Sequence, residues 1–125
     1  MLKMPLYQTS EDYLQNLVTT SSQEAKQLWK RSVKETWGEC AYCGSTENLT
    51  IDHIIPQAKG GGNHITNVLC ACEKCNKSKA HYEWEDWYNR QDFFEFVRYE
   101  KINSWITQLS KQELKPYKPR KNLNY

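Results

Sequence analysis

Residues 40–76 read CAYCGSTENLTIDHIIPQAKGGGNHITNVLCACEKCN, and this stretch decides the fold. It begins with one Cys-x-x-Cys pair, Cys40 and Cys43, and ends with a second, Cys72 and Cys75. Each pair can present two thiolates on one side of a knuckle, and two such knuckles complete a tetrahedral Zn–S4 site. Because four thiolates leave no open coordination position, we expect the zinc ion to be structural.

The composition favours thiols as metal ligands over disulfides. The chain has 125 residues, of which 38% are hydrophobic and 26% charged, a balance typical of one globular domain. No apolar stretch approaches the roughly 20 residues of a membrane span, and the N-terminus lacks the pattern of a secretory signal. We therefore expect a cytoplasmic protein, in a reducing compartment where an odd number of cysteines, five here, fits a disulfide framework badly. The fifth, Cys70, is expected to be a buried apolar residue.

The residues between the cysteine pairs predict a hairpin followed by a helix. Leu49–Ile55 is rich in β-branched residues and ends at Pro56, as a short strand would. The three glycines of residues 59–63 predict a loop. A second short strand is expected at Val68–Ala71, and helical propensity resumes from about Lys74.

The flanking sequence is predicted to be helical. Ser21 and Glu24 form a capping box before a run of apolar residues at helical spacing, and Gly38 is a natural end for that helix. A shorter helix is expected within Glu11–Val18. We divide the chain into an N-terminal helical block (1–39), a core (40–82), C-terminal helices (83–114) and a basic extended tail (115–125).

The order of these motifs resembles that of the HNH endonuclease family, within the ββα-metal nuclease superfamily. The matching pattern is C-x-x-C-G, D-H-I-I-P, a glycine loop, N-x-L and C-x-x-C-N-x-x-K, which covers about 40 residues in the family's order. The resemblance implies an α+β fold in which flanking helices surround a small zinc-stapled ββα-metal core. It also implies a metal-dependent endonuclease that nicks or cuts duplex DNA, leaving 5′-phosphate and 3′-hydroxyl ends. Residues 84–94 are more loosely similar to segments of small phage and cyanobacterial HNH proteins, and we use this phage-like resemblance only as a hint of lineage.

The chemistry of the central residues agrees with this expectation. Phosphodiester hydrolysis needs an activated water and stabilisation of charge on the phosphate and the leaving oxygen. An imidazole titrates near neutral pH and suits a general base, the role that the resemblance gives to His53. The resemblance gives Asp52 and Asn76 the role of Mg²⁺ or Mn²⁺ ligands, which their oxygen atoms suit, and Asn67 the role of constraining the loop that presents His53. In an ideal strand, adjacent Asp52 and His53 side chains point to opposite faces, so both serve one phosphate only where the strand ends or twists.

The expected partner is duplex DNA, bound by a monomer or homodimer. The net charge is only +2, but basic residues are concentrated in the tail and on the exposed side of the helix that begins near Ser21. The candidate phosphate contacts are Lys59, Lys77, Lys79, Lys115, Lys118, Arg120 and Lys121. Two alternatives remain open: a non-catalytic zinc module that binds DNA or RNA, and a structural zinc domain that recruits a protein. A pure binding module has no need of Asp52, His53 and Asn76 together.

Overall fold

In the described part of the chain, the fold is an α+β arrangement of five helices around a two-stranded sheet, which confirms the predicted fold class. A computed structural model describes residues 6–16 and 21–107. Within these ranges the elements are α1 (Ser10–Asn16), α2 (Ser22–Trp37), β1 (Leu49–His53), β2 (Val68–Cys72), α3 (Glu73–Lys79), α4 (Trp84–Asn89) and α5 (Phe96–Thr107). Short 3-10 turns lie at Gln57–Lys59 and Ile65–Asn67. The predicted tail, residues 115–125, lies outside the described residues.

Helix α2 begins and ends where its sequence predicts. The backbone N–H of Glu24 donates to the Ser21 hydroxyl at 3.1 Å, which satisfies one of the free donors at the helix start. Gly38 has a φ of 75° and its N–H donates to Lys34 O, so the chain leaves the helix in a conformation that glycine adopts without strain. The buried face of α2, which includes Trp29, Val33 and Trp37, packs against the sheet.

The two strands pair in antiparallel register, with Leu49 opposite Cys72 and His53 opposite Val68. Strand β1 is two residues shorter than predicted, because the backbone N–H and C=O of Ile55 form hydrogen bonds with the Asn67 side chain and not with a partner strand. Strand β2 runs one residue further than expected, and α3 begins at Glu73 directly after it. Every residue of β2 is buried, so this strand forms the centre of the core.

The C-terminal helices anchor on the hairpin through buried polar contacts. The Trp105 indole N–H donates to Ile65 O at 2.9 Å and to Val68 O at 2.8 Å, and its ring packs against Trp37 with centroids 5.0 Å apart. The Tyr88 hydroxyl donates to Tyr42 O at 2.8 Å. Both contacts fix the segment that carries the two cysteine pairs. Within the described ranges, no helix combines the length and the apolar character needed to cross a bilayer.

Candidate active site

The four paired cysteines converge on one point in the fold. The sulfur atoms of Cys40, Cys43, Cys72 and Cys75 all lie within 4.8 Å of one another. A turn holds the first pair, and the second spans the end of β2 and the first turn of α3. The residues that the sequence analysis selected as metal ligands are therefore brought together by the register of the hairpin.

The geometry of this cluster fits a tetrahedral thiolate site. A Zn–S distance of about 2.3 Å places the ligand sulfurs of a regular tetrahedron about 3.8 Å apart. The sulfurs of Cys43 and Cys72 are 3.7 Å apart. A hydrogen bond from the Cys75 thiol lowers the pKa of Cys40 to about 4, and the same bond, together with burial, raises the pKa of Cys75. One thiolate is thus stabilised by its neighbours, in a cluster whose remaining thiols must release protons to bind a cation.

Cys70 is fully buried in β2 and does not belong to the cluster. Burial raises its pKa to about 12, which keeps the thiol protonated and apolar. This agrees with its expected role as a core residue.

His53 lies at the end of β1, on the side of the hairpin remote from the cysteine cluster. Its Nε2 is 2.8 Å from the Asn63 Oδ1, which also accepts a hydrogen bond from the Gln57 side chain at 2.9 Å. Because an amide oxygen only accepts, this contact favours the tautomer with the proton on Nε2, in which Nδ1 carries the lone pair. The imidazole is half-buried and borders an open cleft of about 550 Å³.

Asn67 fastens the loop that follows β1. Its Oδ1 accepts from the Ile55 N–H at 2.9 Å, and its Nδ2 donates to Ile55 O at 3.0 Å and to Gly62 O at 2.9 Å. Gly61 lies within this arrangement, and a Cβ there would clash with the Ile55 carbonyl oxygen. These contacts tie the loop to the chain segment that follows β1.

Asp52 lies in a different environment from His53. The side chain is 5% exposed, and its carboxylate accepts from the Tyr42 hydroxyl at 3.2 Å and pairs with the Lys79 ammonium at 3.3 Å. Burial raises the pKa of Asp52, and the Lys79 cation opposes that rise. Burial also raises the pKa of Tyr42 well above its ordinary value, so the hydroxyl stays protonated and donates. The tension predicted for adjacent strand residues is thus present, since Asp52 faces the core and His53 the cleft.

Asn76 lies at the fourth position of α3 and is partly buried. Its Nδ2 donates to the Thr50 hydroxyl at 2.9 Å and to Ile51 O at 3.4 Å, which ties α3 to β1. Within the described residues, no hydrogen bond joins the side chains of Asp52, His53 and Asn76 to one another. The structure therefore places all three on or beside β1, without a hydrogen bond between their side chains.

The predicted phosphate-binding lysines have three different environments. Lys59 and Lys77 are exposed, and Lys77 also pairs with Glu73 at 3.7 Å. Lys79 is fully buried, with its ammonium bound to Asp52 and, at 3.0 Å, to His53 O, so none of its atoms is presented to a phosphate. Lys115, Lys118, Arg120 and Lys121 lie outside the described residues.

Two site residues are not indicated by the sequence motifs: Asn63, which bonds to the His53 ring, and Tyr42, which bonds to Asp52. A third, Lys79, is predicted in a different role, as a phosphate contact. An amide next to a glycine run was a usable signal for Asn63, but the Tyr42 and Lys79 contacts arise from packing across distant segments.

Comparison with known proteins agrees with this architecture. The sequence model of the HNH endonuclease family matches residues 40–85. The chain is 38% identical over 65 residues to the CRISPR-associated endonuclease Cas9 of Corynebacterium diphtheriae, and 40% identical over 52 residues to that of Actinomyces naeslundii. It is 28% identical over 100 residues to YoqL, an SPbeta prophage-derived protein of Bacillus subtilis whose name places it among HNH endonucleases.

These alignments cover 48%, 38% and 67% of this chain, but only 6%, 5% and 42% of the respective relatives. The chain thus spans less than half the length of each relative. The family model matches the segment that carries both cysteine pairs and His53. Residues 40–85 therefore form a segment that matches the HNH endonuclease family, in agreement with the name of the Bacillus subtilis relative.

Proposed function

We propose that this protein is a metal-dependent endonuclease that hydrolyses phosphodiester bonds of duplex DNA. The observation that carries the proposal is the position of His53, held by Asn63 at the border of an open cleft, within the segment that matches the HNH family. A core histidine satisfied by its neighbours would not face open space. Asn67 supports the same interpretation, because its hydrogen bonds fix the loop from which Asn63 reaches His53.

In this proposal His53 is the general base. Its Nδ1 accepts a proton from a water molecule, and the water oxygen forms a bond to the phosphorus atom. The bond between phosphorus and the 3′ oxygen breaks, and that oxygen takes a proton from solvent. The products are a 5′ phosphate and a 3′ hydroxyl. Asn63 acts as a positioning residue, because its amide oxygen selects the tautomer in which Nδ1 is the basic nitrogen.

Asp52 and Asn76 offer the oxygen atoms that a hard divalent cation prefers. The Nδ2 of Asn76 donates to the Thr50 hydroxyl and to Ile51 O, so its Oδ1 is the atom available as a candidate metal ligand. The Asp52 carboxylate meets the same chemical requirement, with Lys79 as its present partner. When bound, Mg²⁺ or Mn²⁺ supplies positive charge that stabilises the phosphate and the leaving oxygen.

The remaining expectations form part of the same proposal. Cys40, Cys43, Cys72 and Cys75 hold a structural zinc ion, and the core of residues 40–82 lies between the helical blocks 1–39 and 83–114. Lys59 and Lys77 bind phosphates from the exposed surface, together with the basic tail of residues 115–125. Lys79 is assigned instead to holding Asp52 and the end of β1, because it is fully buried.

The buried pair between Asp52 and Lys79 is the one observation that favours the alternative, a non-catalytic zinc module that binds nucleic acid. A carboxylate neutralised by a lysine has no need of a metal ion. The two functions differ in whether bound DNA is cut.

Supercoiled plasmid distinguishes them. The wild-type protein with Mg²⁺ or Mn²⁺ is expected to convert plasmid to nicked or linear forms, and His53→Ala is expected to slow this by about 10²–10⁴-fold, the usual contribution of a general base. His81→Ala is the matched control, since His81 is an exposed histidine between α3 and α4. Binding without cutting by the wild-type protein with either metal would support the non-catalytic alternative, and equal cutting by His53→Ala would assign the base elsewhere.

A further inference from the structure

A row of three lysines on α2 borders the cleft that holds His53. Lys26, Lys30 and Lys34 recur every fourth residue, so they lie along one face of the helix. All three line this cleft, together with His53 and Asn63. Helix α2 therefore forms a cationic wall of this cleft, and the end of β1 forms the wall that carries the His53 imidazole.

No carboxylate in the described part of the chain pairs with a lysine of this row. By contrast, Arg31 on the adjacent side of α2 pairs with Glu35 at 3.9 Å. Three uncompensated cations along the wall of a cleft concentrate a field that attracts a polyanion.

The spacing of the row suits a nucleic-acid backbone. Four residues of helix correspond to a rise of about 6 Å, so the row extends over about 12 Å. One strand of duplex DNA places a phosphate at roughly every 3.4 Å of helix axis, so three phosphates of a strand fall within reach of the row. An adjoining cleft, lined by Thr9, Glu11, Leu14 and His64, shares Ser10, Lys26 and Asn63 with the first.

We propose that Lys26, Lys30 and Lys34 bind phosphates of the DNA strand that enters the His53 cleft. This inference rests on the proposed function and adds to it the surface that holds the substrate strand beside the base. The lysines contribute affinity and position, and they read no bases.

The test measures DNA binding separately from cutting. In a His53→Ala background of the zinc-loaded protein, with no added Mg²⁺ or Mn²⁺, a short fluorescent DNA duplex is titrated at several salt concentrations with the parent protein and with Lys26→Gln/Lys30→Gln/Lys34→Gln. Glutamine keeps a good helix propensity. Affinity falls as salt rises, so the slope of log affinity against log salt is negative. Loss of three phosphate contacts is expected to reduce the magnitude of this slope by about 2.7. Between about 50 and 200 mM salt, the lysine variant should then lose roughly 40-fold less affinity than the parent.

The matched control removes three positive charges elsewhere, in Arg31→Gln/Arg90→Gln/Lys101→Gln. All three residues are exposed and none lines the cleft. An unchanged slope in the lysine variant, an equal change in the control, or no DNA binding by the parent would overturn the inference. Plasmid cutting by the protein with His53 intact is assayed in parallel. If the lysine variant changes the slope but no variant with His53 intact cuts plasmid, the nuclease proposal is refuted and phosphate binding by the three lysines stands. If plasmid is cut but the slope is unchanged, the nuclease proposal stands and phosphate binding by the lysines is refuted.

Discussion

Replacing Lys79 by methionine should destabilise the protein by about 3 kcal/mol. The Lys79 ammonium is fully buried and contacts both carboxylate oxygens of Asp52 and the carbonyl of His53. Removing one partner of a buried pair costs about 3–5 kcal/mol, because the other charge is left without compensation. Methionine keeps most of the volume, and the Tyr42 hydroxyl still donates to Asp52, so we expect the lower end of that range.

The reasoning is tested by a second substitution at the partner. If the cost arises from an uncompensated carboxylate, then Lys79→Met/Asp52→Asn should recover most of the lost stability. Urea unfolding of the zinc-loaded proteins, followed by the fluorescence of the five tryptophans, measures each free energy of unfolding. Lys77→Met is the control, because this exposed lysine of the same helix forms only a surface ion pair with Glu73 and should change stability by less than about 1 kcal/mol.

The pH dependence has a definite sign. Loss of the Lys79 cation removes the main influence that lowers the pKa of Asp52, so burial raises that pKa further in Lys79→Met. A carboxyl whose folded-state pKa is raised contributes stability that is present below the unfolded pKa and lost as pH rises through the folded one. The gap between Lys79→Met and the wild type should therefore widen as pH rises through the folded-state pKa of Asp52. A variant as stable as the wild type at neutral pH, or one not rescued by Asp52→Asn, would refute this account of the pair.

Three further predictions follow from the contacts described above. Cys43→Ser should lose the bound zinc and the cooperative thermal transition, because the thiolates join the segment before the hairpin to its end. Elemental analysis and calorimetry measure these two effects, and a metal-free protein that still unfolds cooperatively would contradict the prediction. Asn67→Ala should cost about 2 kcal/mol and reduce plasmid cutting more than DNA binding, whereas Asn89→Ala, which removes one exposed hydrogen bond, should do neither. Trp105→Phe should cost about 1–3 kcal/mol in urea unfolding, because the carbonyls of Ile65 and Val68 lose a buried donor; equal stability would mean that water replaces the indole.

Local sequence signals were sufficient to predict most of the secondary structure and the α+β class. Helix α2 is specified by a capping serine and a terminal glycine, both of which act within one turn. The cysteine cluster was predictable because each pair is local, and the hairpin between the pairs brings them together. The end of β1 was not predictable from local sequence, because the Asn67 side chain, twelve residues along the chain, forms the hydrogen bonds of the Ile55 backbone.

The surroundings of the candidate catalytic residues were less accessible to sequence reasoning. Lys77 and Lys79 are two residues apart and look alike in sequence, but one faces solvent while the other is buried against Asp52. Which face of a short helix turns inward depends on packing between α3 and β1, and no local pattern encodes it. The roles of His53, Asp52, Asn76 and Asn67 in catalysis stay predictions until the variants are assayed.

The register of the hairpin separates two kinds of genetic defect. The cysteine cluster adjoins the end where Leu49 pairs with Cys72, and His53 pairs with Val68 at the other end, four residues along the strand, or roughly 14 Å. Substitutions that far apart usually act independently. A lesion at the cluster would reduce how many molecules are folded, whereas one at His53 would reduce what each folded molecule does. In a protein with one substitution at the cysteine cluster and another at His53, the two fractional losses of total activity should therefore multiply, and neither substitution should suppress the effect of the other.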